Sequence, residues 1–230
     1  MSGAPYRLKD DPYSSHSLIL SRLGAGRGRR ALDVGAADGF LAAELTARAW
    51  KVTALERDPV QAERAAARCE QAIAVDLERE TPALRGLYDA LVYGDVIEHL
   101  SDPLRIMREL NRYLAPGAVV IVSVPNVAHL SVRLSLLLGR FEYQDRGILD
   151  RTHLTFFTRR TFLDFLRRAG LAVRELVVTP APLPLVVPER FHGPWLSALH
   201  RFSAGTARVW PGGLAYQFVA VCADARGPER

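Results

Sequence analysis

Two carboxylates and two glycines share a short stretch of the chain, and their spacing predicts a ligand site. Asp33 ends a short apolar run, and Asp38 lies between Gly35 and Gly39 in the turn that follows. The glycines let the backbone turn sharply and let a ligand approach it closely. A helix predicted from Phe40 directs its first N–H groups at the same turn. Because two carboxylates would repel a pyrophosphate, the turn favours a ligand with a cationic amino group and no phosphate.

Two further acidic residues stand at the ends of predicted strands. Glu56 ends the second strand, about 20 residues after Gly35, where a Rossmann-type fold places the acid that accepts hydrogen bonds from ribose hydroxyls. Gly94 and Asp95 turn the chain at the end of the fourth strand. Ligands of open α/β sheets bind at these carboxyl ends, so the sequence predicts a nucleoside site along one edge.

Two stretches resemble a known family. Residues 30–40, RALDVGAADGF, resemble motif I of the class I S-adenosylmethionine (SAM)-dependent methyltransferases, hydrophobic-Asp-x-Gly-x-Gly-x-Gly, with Ala37 where the middle glycine is most often found. Residues 88–103, YDALVYGDVIEHLSDP, resemble motif IV of the branch that includes the ubiquinone-biosynthesis O-methyltransferases and many sugar and natural-product enzymes. The resemblance extends over about residues 30–178.

The resemblance implies a Rossmann-like α/β fold, with a seven-stranded, mostly parallel sheet, an antiparallel last strand and helices on both faces. It implies SAM as the cofactor and methyl transfer to a hydroxyl oxygen of a small molecule or glycan precursor. In this family the acid that follows the third strand, here Asp76, accepts the adenine amino group, and the next residue, Leu77, packs on the ring. The residues expected to bind the cofactor are Asp33, Gly35, Ala36, Gly39, Glu56, Arg57, Asp76, Leu77, Gly94 and Asp95.

Two histidines are the candidate catalytic residues. The sulfonium electrophile is already activated, so the remaining task is to remove the proton of the acceptor hydroxyl. His153 lies in a long segment after the fifth strand and is expected to act as base or substrate ligand. His99 follows the fourth strand and is the second candidate, with His129 third. Each of them could instead make only a structural hydrogen bond.

Glu98 and His99 also have a metal-binding interpretation. In small-RNA terminal 2′-O-methyltransferases, a Glu-x-x-Glu-His motif and a later histidine bind a divalent ion, and Asp95 here takes the first position while His153 resembles the later histidine. Because the same Glu-His pair is common in metal-free relatives, we expect no metal ligand and a reaction that survives chelation. A metal-assisted RNA ribose methyltransferase and a noncatalytic accessory protein of the same fold remain alternatives.

The composition of the chain argues against several other classes of protein. The net charge of +5 and the pI near 9.5 come from arginines that are scattered along the chain, so we expect no nucleic-acid partner. No apolar run reaches the roughly 18 residues of a membrane span, and the start lacks a secretory signal pattern. Cys69 and Cys222 indicate neither a disulfide framework nor a zinc site. We expect a cytoplasmic protein; peripheral membrane contact is possible and the oligomeric state is open.

The length suits one α/β domain, and the resemblance implies a single methyltransferase domain at residues 1–230 with two additions. Residues 126–157 are expected to form a substrate lid over the cofactor. Residues 180–213 are expected to be a rigid, irregular, proline-rich insertion. Its apolar residues at helical spacing are assigned to core packing, with a second lid, a dimer contact or a lipid-binding surface as alternatives: Trp195, Leu196, Leu199 and Phe202.

The apolar pattern also predicts the order of the elements. Strands should end near Val34, Glu56, Asp76, Tyr93 and Pro125, followed by strands at residues 171–178 and 214–223. Helices are predicted at residues 14–23, 40–49, 60–71, 103–114 and 130–138, with a last one capped by Thr158 or Thr161. The first helix could place Tyr13 and His16 beside the cofactor, although a surface position is favoured.

Overall fold

The protein is built on one seven-stranded sheet. The computed structural model describes residues 11–225, so predictions made for the two ends of the chain lie outside the described residues. The sheet order is β3-β2-β1-β4-β5-β7-β6, and β7 runs antiparallel to both of its neighbours. The predicted fold class is therefore confirmed. The strands are β1 (Arg30–Val34), β2 (Lys51–Glu56), β3 (Gln71–Ala74), β4 (Tyr88–Gly94), β5 (Leu114–Pro125), β6 (Leu171–Thr179) and β7 (Gln217–Asp224).

Helices lie between the strands and beyond them. They are α1 (Ser15–Leu23), α2 (Phe40–Ala47), α3 (Pro59–Ala66), α4 (Pro103–Leu110), α5 (Leu130–Leu137), α6 (Arg159–Arg168), α7 (Leu183–Val186), α8 (Pro194–Val209) and α9 (Pro211–Leu214). Short 3₁₀ turns occupy Ile97–His99, Asn111–Tyr113 and Glu189–Phe191. In the described part of the chain, no helix is long and apolar enough to cross a membrane.

Side chains that alternate between the two faces of the central strands divide the core into two layers. Leu32 and Leu91 contribute to an apolar cluster that also contains residues of α4 and α6. Ala31 and Val92, their neighbours in the chain, contribute to a second cluster with residues of α1 and α2. Both faces of β1 and β4 are therefore buried, which explains why these strands read as continuous apolar runs.

Side-chain caps fix where several helices begin. Ser14 accepts a hydrogen bond from the N–H of Ser17 at the start of α1, and Asp58 accepts from Val60 before α3. Of the two threonines predicted to begin α6, Thr158 is the cap, and it forms a reciprocal capping box with Thr161. These helix starts were readable from the sequence.

Several predicted boundaries are wrong. The helix α3 ends at Ala66 instead of residue 71, because Gln71 pairs with Thr53 at the start of β3. That strand ends at Ala74, so Asp76 lies beyond it. Likewise α4 ends at Leu110 instead of residue 114. The segment after it, predicted as a Pro-Gly turn, belongs to β5, which begins at Leu114 and pairs with β4 in an irregular register. The last strand begins at Gln217 instead of residue 214.

The proline-rich insertion differs most from expectation. It is largely helical, with α7, a 3₁₀ turn, the 16-residue α8 and α9. Proline accounts for this, because it occupies the first turn of α7, α8 and α9, where no N–H is needed. Core packing holds for Leu196, but Trp195, Leu199 and Phe202 are 55%, 46% and 69% exposed.

Candidate functional site

The turn after β1 packs closely against the elements around it. Gly35 and Gly39 both have positive φ, 69° and 76°. A Cβ on Gly35 would lie 2.5 Å from a methyl carbon of Val96, and one on Gly39 would lie 2.7 Å from the Cα of Ala65. Besides forming the turn, the two glycines therefore allow Val96, which follows β4, and Ala65 of α3 to pack closely against it. Ala37, at the position of the family's middle glycine, also has a positive φ of 47°.

Asp33 ends in a small pocket at this turn. The pocket has a volume of about 120 Å³ and is lined by His16, Asp33, Gly35, Ala36, Ala37, Phe40, Leu41, Gly94 and Asp95. Asp33 is 2% exposed, and its Oδ2 has no hydrogen-bond partner among the described residues. Burial, and then the charge of Glu56, raise the pKa of Asp33 from 3.8 to about 7. An unpartnered buried carboxylate beside a cleft suits a cationic ligand group.

Glu56 is oriented by backbone donors. Its Oε2 accepts from the N–H of Ala37 at 2.8 Å, and its Oε1 accepts from the N–H groups of Arg57 and Asp58 at 2.8 and 3.0 Å. Each oxygen can accept further hydrogen bonds from a ligand. The carboxylate is thus held rigidly at the end of β2, beside the glycine turn, while Arg57 contributes its backbone N–H to that arrangement.

Asp76 and Leu77 lie outside the pocket lining. Asp76 Oδ1 accepts from the N–H of Glu78 at 3.1 Å, and its Oδ2 lies 3.5 Å from Arg79 Nε. Leu77 is partly buried against the larger apolar cluster. The N–H of Val75 donates to the backbone oxygen of Glu56, so this segment follows the edge where Glu56 ends. Roles for Asp76 and Leu77 in adenine binding stay predictions.

Asp95 joins three elements at the other side of the pocket. Its Oδ2 accepts from Ser15 Oγ at 2.9 Å, its Oδ1 accepts from Ser123 Oγ, and its N–H donates to Ser123 Oγ at 2.9 Å. The sequence reasoning did not single out Ser15 or Ser123. A lone serine inside the apolar strand β5 was the available signal for Ser123, whereas Ser15 carries none. His16 is buried and lines the pocket, so α1 is not merely a surface helix.

The predicted catalytic histidines lie side by side. The ring centroids of His99 and His153 are 4.7 Å apart. The N–H groups of Leu154 and Thr155 donate to the backbone oxygen of Glu98 at 2.8 and 3.1 Å, which fastens the segment after β5 onto the end of β4. Burial lowers the pKa of His153, so its ring is neutral near pH 7. His129, by contrast, caps α5.

Residues 126–157, the predicted lid, have both ends held together. Asn126 and Phe157 form a parallel bridge, and the N–H of Val127 donates to the backbone oxygen of Phe157 at 2.9 Å. Inside the segment, Val132, Ile148 and Leu149 form a small apolar cluster of their own. The segment is therefore a compact unit at the carboxyl edge, and its function as a lid stays a prediction.

Comparison with known proteins identifies the family. Residues 12–176 match the family described as a methyltransferase domain. A ubiquinone biosynthesis O-methyltransferase from Marinobacter nauticus is 32% identical over 161 residues, which cover 65% of this chain and 66%, just under two thirds, of that protein.

Solved structures show the same fold at low identity. A possible histamine N-methyltransferase from Thermotoga maritima has a TM-score of 0.62 and 19% identity, covering 92% of this chain and 88% of that chain. The 1,6-didemethyltoxoflavin-N1-methyltransferase of Burkholderia thailandensis, solved with S-adenosylhomocysteine, has a TM-score of 0.55 and 15% identity, covering 90% and 75%. With the strand order and the glycine turn described above, the family match over most of the chain shows that it belongs to the class I SAM-dependent methyltransferases.

Proposed function

We propose that the protein transfers the methyl group of SAM to a hydroxyl oxygen of a small molecule. The observation that carries this proposal is the position of two unlike sites on one sheet edge. A cleft with the unpartnered Asp33 carboxylate follows β1, and the His99–His153 pair follows β4, the neighbouring strand. The first suits a cationic cofactor and the second suits the activation of a hydroxyl.

The cofactor would be held from two directions. Asp33 faces the cleft where the amino group of the methionine moiety would bind, and Glu56 presents a carboxylate that three backbone N–H groups hold in place. Both carboxylates favour a cation, and ribose hydroxyls are donors that Glu56 can accept. Asp76 and Leu77 remain our candidates for the adenine end.

A second cavity offers room for the acceptor. It has a volume of about 370 Å³ and lies between the residues just before α1 and the helices α7 and α8. Tyr13 and His200 line it, and their rings pack edge to face with centroids 5.2 Å apart. His16, on the first turn of α1, lines the cofactor cleft, so the two spaces adjoin the same helix. The volume is that of a small-molecule site.

The acceptor class is supported by the relatives. The matched proteins from several bacteria are named ubiquinone biosynthesis O-methyltransferases, which favours a hydroxyl acceptor over RNA. A glycan precursor is an acceptor we keep open to test. We also propose a cytoplasmic location, supported by two cysteines that are both free. Peripheral membrane contact is supported by the exposed Trp195, Leu199 and Phe202 of α8.

The test separates cofactor binding from transfer. Isothermal titration should show one SAM bound per chain, and a cell extract incubated with the protein and methyl-labelled SAM should yield a labelled small molecule by mass spectrometry. If SAM does not bind, the methyltransferase proposal is wrong. If SAM binds and the label appears in RNA, or on a nitrogen or carbon atom, the proposed acceptor class is wrong.

A further inference from the structure

We propose that the outer edge of the sheet carries a second ligand site, for an organic anion: a phosphate or carboxylate group attached to an apolar body. The site is a cavity of about 360 Å³ between β6, α1, the end of α8 and the start of α6. It shares no lining residue with the cofactor cleft, and the proposal does not depend on the methyl-transfer function. An apolar floor and three arginines carry it.

The floor of the cavity is the free edge of the sheet. β6 is the last strand in the sheet order, and among the described strands it pairs with β7 alone. Leu176 and Val178 pack against the apolar cluster shared with α4 and α6, whereas Val177 packs against the cluster shared with α1 and α2. All three line the cavity, which therefore extends around the edge of the strand. Because these side chains are only partly buried, an apolar ligand would remove their remaining surface from water.

Three arginines from three helices line the rest of the cavity. Arg22 lies in the last turn of α1, Arg208 in the last turn of α8, and Arg159 is the first residue of α6. Arg22 is already neutralised, because its Nη2 lies 2.9 Å from Glu175 Oε1 and its Nε donates to Glu175 Oε2 at 3.3 Å. Neither Arg159 nor Arg208 forms a side-chain ion pair or hydrogen bond with a residue that the structure describes, and no described lining residue is acidic. Two guanidinium groups at the cavity thus lack an anionic partner.

The position of Arg159 is not explained by the stability of its helix. A positive side chain complements the helix dipole in a last turn, which accounts for Arg22 and Arg208, but it opposes the dipole at a helix start. Thr158 and Thr161 supply the capping hydrogen bonds of α6, so Arg159 has no part in the cap. An anion in the cavity would offset the unfavourable charge at this helix start and accept hydrogen bonds from the guanidinium groups.

The volume and the lining indicate the class of ligand. A volume of about 360 Å³ lies in the range of small-molecule sites, roughly 300–1,000 Å³. The planar guanidinium groups match the paired oxygens of a phosphate or carboxylate, and the aliphatic floor matches a hydrocarbon chain or ring. An inorganic anion would leave the floor in water, and a neutral apolar molecule would leave the arginines without a partner. We therefore expect one amphiphilic anion in the cavity.

Octyl phosphate is the test ligand, because it combines both parts in one molecule. Isothermal titration of the full chain should show one octyl phosphate bound per chain, below the concentration at which octyl phosphate forms micelles. Inorganic phosphate and octanol should each bind at least about tenfold more weakly, because the first lacks the apolar chain and the second lacks the charge. If inorganic phosphate or octanol binds as tightly as octyl phosphate, the proposal is wrong. Binding that begins only when micelles form would also refute it, because the arginines would then bind a charged surface instead of a single molecule.

Variants that remove one charge locate the site. Arg159→Gln and Arg208→Gln each keep part of the aliphatic stem and should weaken octyl phosphate binding at least about fivefold, since each removes one charge-assisted contact. Arg160→Gln is the matched control, because it removes an exposed arginine next to Arg159 that does not line the cavity. This control should bind octyl phosphate as the wild type does.

Folding and cofactor binding are checked separately. All three arginines are exposed, so the midpoint of thermal unfolding should stay near the wild-type value in every variant. If both cavity variants bind octyl phosphate as the wild type does, or if Arg160→Gln weakens binding as much as they do, the site is refuted. SAM titration of the same samples tests the methyltransferase function, whose failure would leave the octyl phosphate result unaffected because the two sites share no lining residue.

Discussion

His99 and His153 pack edge to face, with their ring planes at 66° and their centroids 4.7 Å apart. The contact depends on Thr152, whose backbone oxygen and Oγ1 lie 3.2 and 3.0 Å from His99 Nδ1. Thr152 is in turn held by Asp150: burial opposes ionisation of that carboxyl, but two hydrogen bonds from Thr152 outweigh it and lower its pKa. The two histidines therefore form one unit with the loop that precedes His153.

The effects on turnover of two substitutions in such a unit should not be additive. We expect His99→Ala and His153→Ala each to lower turnover by about 10²-fold or more, and the double variant to be little worse than the poorer single one. SAM affinity measured by isothermal titration should stay near the wild-type value, because neither side chain lines the cofactor cleft. Multiplicative losses in the double variant would show that the two residues act independently. Loss of SAM binding would show that they belong to the cofactor site.

The second prediction concerns Glu56. Glu56→Ala should weaken SAM binding by about 1.5–3 kcal/mol, the scale of a hydrogen bond to a charged group, and it also leaves the Ala37 N–H without its partner. Glu63→Ala, on the exposed face of α3, is the matched control and should change little. Isothermal titration of both variants decides the matter. Equal affinity in the two would mean that Glu56 only organises the turn.

The sequence predicts the arrangement of residues around the glycine turn because its signals are local, and cofactor binding by these residues stays a prediction. A buried strand, two glycines and an acid at the end of the next strand are close in sequence, and the fold brings them together by parallel pairing of β1 with β2. The acids at Asp33, Glu56 and Asp95 could therefore be named from spacing. Asp76 was predicted to end β3, but a helix-like run of alanine and charged residues masked the early start of that short strand, and Asp76 lies two residues beyond its end.

The acceptor side depends on long-range packing, which the sequence does not show. As candidate bases, His99 and His153 were named one by one; their contact requires the segment after β5 to fold back onto Glu98. The burial of Glu98, whose Oε2 has no hydrogen-bond partner among the described residues, is a consequence of that packing. In the insertion, the helical spacing of the apolar residues was visible, but the prolines indicated irregular structure, whereas here they start helices.

The third prediction separates backbone strain from crowding. Gly39 and Gly170 have similar positive φ values, 76° and 79°, but a Cβ on Gly39 would lie 2.7 Å from the Cα of Ala65, while one on Gly170 would meet nothing within 4 Å. Gly170→Ala should therefore lower the free energy of unfolding by about 1 kcal/mol. Gly39→Ala should cost at least about 1 kcal/mol more, because backbone must move. Urea denaturation measures both, and equal losses would mean that α3 shifts freely.

The last prediction follows from the raised pKa of Asp33, which is about 7 in the folded protein against 3.8 for an unperturbed carboxyl. Because the folded state favours the protonated form, stability without ligand should fall as the pH rises from about 4 to 7. A cationic cofactor requires the opposite form. Its affinity should increase about tenfold between pH 6 and pH 8, as the ionised fraction of Asp33 grows, and near pH 6 its binding should release about one proton.

Isothermal titration of SAM in two buffers of different ionisation enthalpy measures both the affinity and the proton release. Asp33→Asn should bind SAM weakly, with an affinity that no longer depends on pH in this range, and this comparison removes any contribution from the histidines. The same pH dependence in Asp33→Asn as in the wild type would place the titrating group elsewhere. An affinity that fell with rising pH would mean that the protonated carboxyl is the binding form, and that Asp33 donates to the ligand rather than neutralising its charge.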